Sequence, residues 1–399
     1  MKVLRIIPTM NPSYGGPCQG IRSSIPELAK IGIVNEVVCL DDAGSDFLKN
    51  DSFVIHAIGA AKGFWGYNNN LINWLYDNID KYDVIIVHTL WLYHGYAANK
   101  VVRTLRQRSK SNNPIYYVMP HGMLDPYFQN AKGRKLKAIR NWIYWKVIER
   151  RLINEADGIL FTCEEEMKLA KHTFNKYLPK KEINIGYGIS APPLNNQTFF
   201  DAFYNKLDTP IGKSYILFLS RIHIKKGVDL LISAYSKILE NEVNINNIPD
   251  LVIAGPGIET EFGKSIVDSV KANKIMINKV HFPGMLTSES KWGAFYGCEA
   301  FILPSHQENF GISVVEALAC SKPVLITDKI NIHYEIAEEK AGIVDDDTEI
   351  GIYRLLEKWL NFSDTEKKVI SKNALDAYLK LFRVEHAALN LKKELETNL

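Results

Sequence analysis

Residues 300–319 read AFILPSHQENFGISVVEALA, and this stretch decides the fold. Its apolar residues 300–303 predict a buried strand, and the run 312–319 predicts a helix. A loop that joins a strand to the start of a helix presents backbone N–H groups at the carboxyl edge of a sheet, where α/β proteins bind phosphates and sugars. Glu308 stands in this loop and Glu316 in the helix, so both are candidate ligand-binding carboxylates.

The alternative for these two glutamates is a structural role, since such a pair recurs by chance in acidic helical segments. Two features favour ligand binding. Glu316 stands in an otherwise apolar helical run, in which an unpaired buried carboxylate would be costly. Gly311 has no side chain, so the backbone beside it can approach a ligand closely.

A second candidate site lies upstream, in the loop SRIHIKKG at residues 220–227. It follows the apolar strand candidate 215–219 and precedes a helical pattern at 228–239. Arg221 offers a planar fork for phosphate oxygens, and Lys226 offers a point charge. A solvated basic loop is the alternative for this motif alone. Together with the glutamate pair, the basic loop at 220–227 favours a phosphate-binding function.

Apolar strand-like runs alternate with helical patterns along the chain, which predicts parallel α/β sheets. A chain of 399 residues is too long for one ordinary core, so two domains are expected. The polar segment 191–208 lacks clear periodicity and is predicted to link them. Strands are predicted at 3–7, 36–40, 54–57, 84–88, 115–119 and 158–162, then at 215–219, 251–254, 279–282, 300–303 and 324–327. Helices are predicted to begin near residues 18, 69, 96, 135 and 164, and residues 365–399 are predicted to be helical.

The order of the motifs resembles that of the retaining glycosyltransferases of the GT-B fold, family four (glycosyl transferases group 1). The resemblance covers nearly the whole chain, and the ordered set is specific although each motif alone is weak. The remaining motifs are the turn Gly15-Gly16-Pro17, the loop Pro120-His121-Gly122, and the runs LVIAGPG at 251–257 and VHFPG at 280–284.

The resemblance implies an α/β fold of two Rossmann-like domains that face each other across a deep cleft. Residues 1–195 would bind the acceptor, and residues 209–378 would bind a nucleotide sugar. A C-terminal helix at 379–399 would cross back to pack on the first domain. A helix that simply caps the second domain is the alternative.

The resemblance also implies roles for single residues. Arg221 and Lys226 would hold the donor diphosphate and neutralise the leaving group, and Glu316 would accept hydrogen bonds from the ribose. His121 would contact the donor sugar, and this role is preferred to that of a general base. The predicted catalytic residues are Arg221, Lys226, Glu308 and His121. The predicted donor-binding residues are Gly15, Gly16, Arg221, Lys226, Gly255, Met285, Leu286, Glu308, Asn309, Phe310, Gly311, Ile312 and Glu316, with the base near residues 281–286.

The implied reaction transfers a hexose with retention of configuration by a front-face mechanism, in which the leaving phosphate oxygen accepts the acceptor's proton. The expected donor is a UDP-sugar, with UDP-glucose first. The expected acceptor is a glycan or lipid-linked glycan in surface or extracellular polysaccharide synthesis. A GDP-mannose-dependent mannosyltransferase, a nucleotide-sugar 2-epimerase and an inactive nucleotide-sugar-binding module are the alternatives.

No cofactor and no metal ion are expected to be required. No Asp-x-Asp motif stands in a convincing loop, and the acidic run 345–347 is interpreted as a solvated turn. The sequence Gly255-Pro256-Gly257 contains two glycines but lacks the third glycine of a dinucleotide-binding fingerprint. Arginine and lysine side chains would therefore take the place of a cation beside the diphosphate.

Residues 132–151 predict a basic helix that contains eight Lys or Arg residues and one acid, Glu149. Aromatic residues Trp142, Tyr144 and Trp145 are interleaved with aliphatic ones, a pattern typical of membrane-surface segments. The hypothesis is contact with an anionic membrane surface beside a lipid-linked acceptor. A domain helix with a solvated basic face is the alternative.

The composition, 46% hydrophobic and 23% charged, is that of a globular protein in water. No apolar run approaches the length of a membrane span, and the N-terminal run is too short for a signal peptide. Five scattered cysteines predict reduced, mostly buried thiols and a cytoplasmic location. The basic segment 132–151 adds the hypothesis of peripheral attachment to the inner face of the plasma membrane. The net charge of +3 is modest, no nucleic-acid partner is expected, and a monomer is favoured.

Overall fold

The structure is a computed structural model that describes residues 1–108, 113–131, 133–241 and 244–397. The chain forms two compact units. The first unit comprises Met1–Ser190 together with Arg383–Leu399, and the second unit comprises Ala191–Phe382. Each unit contains one parallel sheet and the helices that connect its strands.

The sheet of the first unit has seven strands in the order β3-β2-β1-β4-β5-β6-β7. The order reverses between β1 and β4, which makes the carboxyl edge of these two strands a topological switch point. The central strands β1 and β4 are buried on both faces; β4 is apolar up to its final His88, and β1 is apolar except for Lys2 and Arg5. The strands are β1 Lys2–Ile6, β2 Val34–Cys39, β3 Ile55–Ala57, β4 Val84–His88, β5 Ile115–Met119, β6 Gly158–Phe161 and β7 Glu182–Asn184.

Helices connect these strands, and a π-helical turn at Trp145–Glu149 joins two of them into one continuous segment. The final helix of the chain belongs to this unit, where its buried Ala388, Leu391 and Leu395 pack in one cluster with Val3 and Leu28. The helices are α1 Gly16–Lys30, α2 Leu71–Asn78, α3 Tyr93–Arg108, α4 Tyr127–Asn130, α5 Lys135–Tyr144, α6 Arg150–Glu155 and α7 Glu164–Ala170, and the final helix, named α16 in chain order, is Val384–Thr397.

The sheet of the second unit has six strands in the order β10-β9-β8-β11-β12-β13, and its order reverses between β8 and β11. Its strands are β8 Tyr215–Leu219, β9 Asp250–Ala254, β10 Val280–Gly284, β11 Ala300–Leu303, β12 Val324–Thr327 and β13 Gly342–Asp345. Its helices are α8 Gln197–Tyr204, α9 Val228–Asn241, α10 Glu261–Ala272, α11 Ser288–Gly297, α12 Ile312–Ala319, α13 His333–Glu338, α14 Glu349–Asn361 and α15 Asp364–Ala377, followed by a π-helical turn at Tyr378–Phe382. Short 3₁₀ turns lie at Pro12–Tyr14, Asp46–Leu48, Ile79–Lys81, Ile224–Lys226, Ile245–Asn247 and Met276–Asn278.

The predicted linker at 191–208 is wrong in part, because it contains α8. Asn196 caps this helix by accepting a hydrogen bond from the Phe199 backbone, and Phe199 and Phe203 are buried. The helix lies so close to α11 that a side chain at Gly293 would collide with the Phe199 carbonyl. The segment is therefore part of the packed second unit.

Eleven strands begin and end within two residues of the predicted positions, and two strands were not predicted. β7 has three half-buried or exposed residues, and β13 is a four-residue edge strand. The predicted tail helix 365–399 is two helices separated by the π-helical turn that ends at Phe382. All five cysteines are buried free thiols, as predicted.

Candidate functional site

Two loops flank the switch point of the second unit. The basic loop, residues 220–227, follows β8, and the glutamate loop, residues 304–311, follows the neighbouring strand β11. Both leave the sheet at the carboxyl ends of parallel strands, where open α/β sheets bind their ligands. The structure therefore brings the two predicted motifs of this unit together.

The basic loop is shaped by a short 3₁₀ turn. The His223 side chain caps this turn, since its Nδ1 accepts a hydrogen bond of 3.0 Å from the Lys225 backbone N–H. Gly227 ends the turn in the left-handed region at φ 66°, and a Cβ there would collide with the carbonyl oxygen of Pro304. Only glycine allows the two loops to approach this closely.

The two predicted cations of the basic loop are in different environments. Lys226 is largely buried and forms an ion pair with Glu308. Burial, then the charges of Lys225 and Arg221, lower the pKa of Lys226. Arg221 is exposed and has no hydrogen bond or ion pair with any residue of the described part of the chain. One cation is thus already held by a carboxylate, and the other is open to an anion.

The glutamate loop is anchored by its backbone. The Glu308 N–H donates to the Lys329 carbonyl at 3.0 Å, and the Glu308 carbonyl accepts from the Asn331 N–H at 3.0 Å. At the other end, the Ser305 hydroxyl donates to the Lys225 carbonyl at 3.1 Å. These bonds fix the main chain at both sides of the Glu308 side chain, which leaves that side chain available to a ligand once its ion pair opens.

The start of α12 completes this edge. Gly311 adopts φ 77° immediately before the helix, and the first N–H groups of a helix have no intrahelical acceptor. Asn309 accepts a long hydrogen bond of 3.4 Å from Asn331. Phe310 is different, because it is buried and its ring packs edge-on against Phe382. The Phe310 ring therefore holds the loop on the core.

Glu316 lies in α12 and is only partly exposed. Its carboxylate accepts a hydrogen bond of 2.8 Å from Lys291, whose ammonium also lies 4.1 Å from the centre of the Trp292 ring. The carboxylate is thus paired, which removes the cost expected for an isolated charge in an apolar helix.

The loops after β9 and β10 bring further predicted residues to the same edge. Gly255 has φ 139°, and a Cβ there would collide with the Ser220 carbonyl, so the loops after β8 and β9 are in backbone contact. Met285 is 62% exposed, whereas Leu286 is buried. His281 lies near the amino end of β10 and contacts Asp250, at 3.0 Å between Nε2 and Oδ2. Of the predicted base-binding segment 281–286, only its C-terminal part lies at the carboxyl edge.

In the first unit, the glycine turn follows β1. Gly15 has φ 87° and caps the start of α1, and a Cβ there would meet no atom within 4 Å. The Gly16 carbonyl accepts a hydrogen bond of 2.9 Å from the Tyr187 hydroxyl. Nearby, the Tyr14 hydroxyl donates to the Thr89 hydroxyl at 3.4 Å. The turn is therefore held by the Tyr187 hydrogen bond at Gly16, and the space beside Gly15 is open.

His121 follows β5 and adopts φ 53°, in the left-handed region. The loop is held by Glu166, which is buried and accepts a hydrogen bond from the Gly122 N–H and two more from Thr162. Burial, then the charge of Arg5, lowers the pKa of His121 to about 3, so the imidazole is neutral near pH 7. His121 can therefore donate or accept a hydrogen bond but does not supply a positive charge.

Three residues of this region, Arg5, His88 and Glu166, are not among the site residues predicted from the sequence. Arg5 lies in β1, is 3% exposed, and contacts His88, which in turn contacts His121. The Glu166 carboxylate holds the His121 loop through the Gly122 N–H. An arginine within the apolar run Val3–Ile7 was the available signal for the first, since a buried charge requires partners.

No group of three or more His, Cys, Asp or Glu side chains that could hold a metal ion occurs among the described residues. Within the same part of the chain, no helix is both long enough and apolar enough to cross a membrane.

Residues 200–376 match the family described as glycosyl transferases group 1. An uncharacterized glycosyltransferase of Methanocaldococcus jannaschii is 24% identical over 305 residues, which are 70% of this chain and 68% of that protein. D-inositol 3-phosphate glycosyltransferase of an Arthrobacter species is 26% identical over 161 residues. That match covers 39% of this chain and 37% of the relative, so the chain spans well under half of its length.

Solved structures match over the whole chain. HepE of Anabaena, crystallised with UDP, superimposes with a TM-score of 0.72 at 15% identity and covers 100% of both chains. Sucrose-phosphate synthase of Thermosynechococcus elongatus gives a TM-score of 0.70 at 16% identity, over 100% of this chain and 98% of the other. At these identities the likeness shows the fold, which is the GT-B fold of glycosyltransferases.

Proposed function

We propose that the chain, which matches glycosyl transferases group 1 over residues 200–376 and shares the GT-B fold, transfers a hexose from a UDP-sugar to a glycan acceptor with retention of configuration. The second unit would bind the donor and the first unit the acceptor. The observation that carries the proposal is the pairing of a basic loop with a carboxylate loop at the switch point between β8 and β11.

The open cation Arg221 and the buried cation Lys226 would bind the donor diphosphate. In the ligand-free protein, Lys226 is held by Glu308. A diphosphate would replace this carboxylate at the ammonium and would release Glu308 to accept hydrogen bonds from hydroxyl groups of the donor sugar. Negative charge that develops on the leaving diphosphate would then meet preorganised cations, the largest contribution in most enzymes.

The remaining donor contacts follow the same edge of the second sheet. Backbone N–H groups at Gly311 and Ile312 would face the phosphate or sugar oxygens, and Glu316 would exchange Lys291 for ribose hydroxyls. The exposed Met285 and the backbone beside Gly255 would border the base. In the first unit, Gly15, Gly16 and His121 would contact phosphate and sugar.

UDP-glucose is the preferred donor because HepE, which shares the fold, was crystallised with UDP-glucose, at a TM-score of 0.68. Thermal-shift measurements with UDP, GDP, ADP, UDP-glucose, UDP-N-acetylglucosamine and GDP-mannose would test this choice, because a ligand stabilises in proportion to the logarithm of its concentration over its dissociation constant. A selective shift with UDP compounds supports the proposal. A shift with GDP compounds alone would replace UDP-glucose by GDP-mannose.

Retention is proposed to occur by front-face transfer, in which a phosphate oxygen takes the acceptor's proton and the carboxylates bind substrate. Proton NMR of the first product formed would test this step, because the anomeric coupling constant distinguishes the two configurations. A product with the donor's configuration agrees with the proposal, and an inverted product contradicts it.

The acceptor is proposed to be lipid-linked and to be met at an anionic membrane surface. Helix α5 and the π-helical turn after it expose a stripe of aliphatic side chains at Leu136, Ile139, Ile143 and Val147, of which Leu136 is 84% exposed. Basic residues flank the stripe, and each adds roughly 1 kcal/mol of attraction near an anionic surface. Lys132, the first residue of the predicted basic segment, lies outside the described residues.

Co-sedimentation with vesicles of anionic lipid at low salt would test the membrane contact. Leu136→Asp with Val147→Asp should abolish binding, because both changes place charge on the proposed lipid-facing stripe. Val369→Asp is the matched control, since Val369 is an exposed aliphatic residue of α15 in the second unit. Binding that survives the double substitution, or no binding by the unmodified protein, would contradict the membrane proposal and leave the transferase proposal intact.

A further inference from the structure

In the first unit, hydrogen bonds link three side chains in series: Arg5, His88 and His121. Arg5 in β1 donates from Nε to the Asn35 side-chain oxygen at 2.9 Å, and its Nη1 lies 3.3 Å from His88 Nε2. His88 Nδ1 lies 2.9 Å from His121 Nε2. Arg5, Asn35 and His88 are buried, so these bonds are shielded from bulk water.

Arg5 determines which nitrogen of His88 carries the hydrogen. An arginine guanidinium has only N–H donors and does not lose its proton in proteins. His88 Nε2 must therefore accept, and the hydrogen of a neutral His88 imidazole must sit on Nδ1. Burial, then the charges of Arg5 and the neighbouring histidines, lowers the pKa of His88 well below its usual value, which keeps this ring neutral.

His88 in turn determines which nitrogen of His121 carries the hydrogen. If His88 Nδ1 carries the hydrogen, it donates to His121 Nε2, which must accept. The ring centres are 5.2 Å apart and the rings are inclined by only 27°, so the two nitrogens lie between the ring centres, as in an in-line hydrogen bond. The hydrogen of the neutral His121 imidazole must then sit on Nδ1. No described residue makes a hydrogen bond to this Nδ1, and His121 is only partly buried.

We propose that Arg5 and His88 are positioning residues that hold His121 in the Nδ1–H form, so that His121 serves the transfer reaction only as a hydrogen-bond donor to an oxygen atom of the bound substrate. The identity of that oxygen, on a sugar or a phosphate, rests on the function proposed above; the state of His121 in the ligand-free protein does not. His121 is thereby excluded as a general base, because its accepting nitrogen is already occupied.

A cavity beside the three side chains is one place where a group could compete with His88 for Arg5. This small cavity of about 40 Å³ is lined by Arg5, His88 and His121 together with mostly apolar residues of α1 and α16. The second guanidinium nitrogen, Arg5 Nη2, is buried and has no hydrogen-bond partner among the described residues. The described residues that line this cavity include no carboxylate, so no negatively charged acceptor there competes with His88 for Arg5.

Nitrogen-15 NMR of the histidine-labelled, ligand-free protein tests the proposal directly, because the shifts of the two ring nitrogens differ between the Nδ1–H and Nε2–H forms. His88 and His121 should both be Nδ1–H. Two other histidines provide internal references for the opposite form: His94 Nε2 lies 2.7 Å from the His88 carbonyl, and His223 Nδ1 accepts from the Lys225 backbone. A neutral His121 found as Nε2–H, or a His121 protonated at pH 7, would overturn the proposal.

Substitution of Arg5 tests the origin of the effect. Arg5→Met removes the donor and should convert His88, and with it His121, toward the Nε2–H form, whereas Arg5→Lys retains a donor and should preserve Nδ1–H. Unchanged histidine shifts in a folded Arg5→Met protein would refute the role of Arg5. This measurement requires no substrate, so its failure is distinct from failure of the transferase proposal.

Substitution of His121 tests the donor role. His121→Asn retains an N–H donor and His121→Asp offers only acceptors when ionised. In UDP-glucose hydrolysis without an acceptor, His121→Asn should keep kcat/KM within about tenfold of the unmodified protein, the range of one neutral hydrogen bond. His121→Asp should lose considerably more. Equal losses in the two variants would refute a donor role, and hydrolysis by neither the variants nor the unmodified protein would contradict the proposed donor instead.

Discussion

Lys226→Ala should remove the larger part of the electrostatic stabilisation of the leaving diphosphate. The ammonium is mostly buried, with 12% of the side chain exposed, and it lies at the switch point beside Glu308. Unit charges 4 Å apart interact by about 4 kcal/mol at an effective dielectric constant of ~20. Removal of one preorganised donor to a developing negative charge costs about 2.7–4 kcal/mol in enzymes, or roughly 10²–10³ in kcat. We expect the same range for Lys226→Ala.

The assay is release of UDP from UDP-glucose without an acceptor, followed over time by chromatography. Lys225→Ala is the matched control, since it removes the same charge from the adjacent residue and leaves the Lys226–Glu308 pair intact. Its effect should remain below about tenfold, because a more distant charge is screened by salt. Urea unfolding of both variants would verify that they are folded, since Lys226→Ala leaves the partly buried Glu308 without its partner at a cost of about 1–3 kcal/mol.

Two outcomes would refute this reasoning. A kcat for Lys226→Ala close to that of the unmodified, folded protein would show that this ammonium does not stabilise the leaving group. Equal losses in Lys226→Ala and Lys225→Ala would show that the net charge of the basic loop matters and that contact with a particular oxygen does not. Either result would move the diphosphate toward Arg221, the exposed cation of the same loop.

Three further predictions concern stability and binding. Gly255→Ala should lower the free energy of unfolding in urea by more than about 2 kcal/mol, because a Cβ collides with the Ser220 carbonyl at a φ of 139°; a smaller loss would show that the loops relax. Burial raises the pKa of Glu149 to about 8, so its proton is bound in the folded state and lost in the unfolded state between pH 4.5 and 8, and stability falls as pH rises through this window. Glu149→Gln should weaken that fall in thermal unfolding at pH 5, 6.5 and 8, and parallel curves would contradict the shift. Glu316→Gln, which leaves Lys291 without its ion pair, should weaken UDP binding in calorimetry by more than it weakens binding of inorganic diphosphate, and equal losses would exclude a ribose contact.

Eleven of the strands could be predicted, because most of them are runs of four to six mostly apolar residues between polar or glycine-containing loops. Parallel strands are buried on both faces, so their sequences show continuous apolar runs, and this local signal is sufficient. β7 gave no such signal, since its residues Glu182–Asn184 are half-buried or exposed at the edge of the sheet. Its position depends on pairing with β6, which lies more than twenty residues earlier.

The missed helix α8 had a readable signal that two prolines obscured. Asn196 is an N-cap residue, and Phe199 and Phe203 are four residues apart, so both face one side of a helix. The segment was interpreted as a linker because Pro192 and Pro193 precede it and polar residues dominate. An eight-residue helix gains most of its stability from packing, here against α11, and that contact is invisible in the sequence.

The site residues of the two units also differ in how well the local sequence predicts them. In the second unit, Arg221 and Glu308 each stand in a loop between a strand and a helix, so a local pattern placed them at one sheet edge. In the first unit, the state of His121 depends on Arg5, which contacts it only through His88 and lies 83 residues before His88 in the chain. The donor or acceptor character of an imidazole is not a property of its own sequence position, because a partner on another strand decides which nitrogen holds the hydrogen. An arginine inside an apolar strand therefore indicates that polar partners lie on neighbouring strands. Here those partners are His88 and, through it, His121, the residue proposed to contact the substrate.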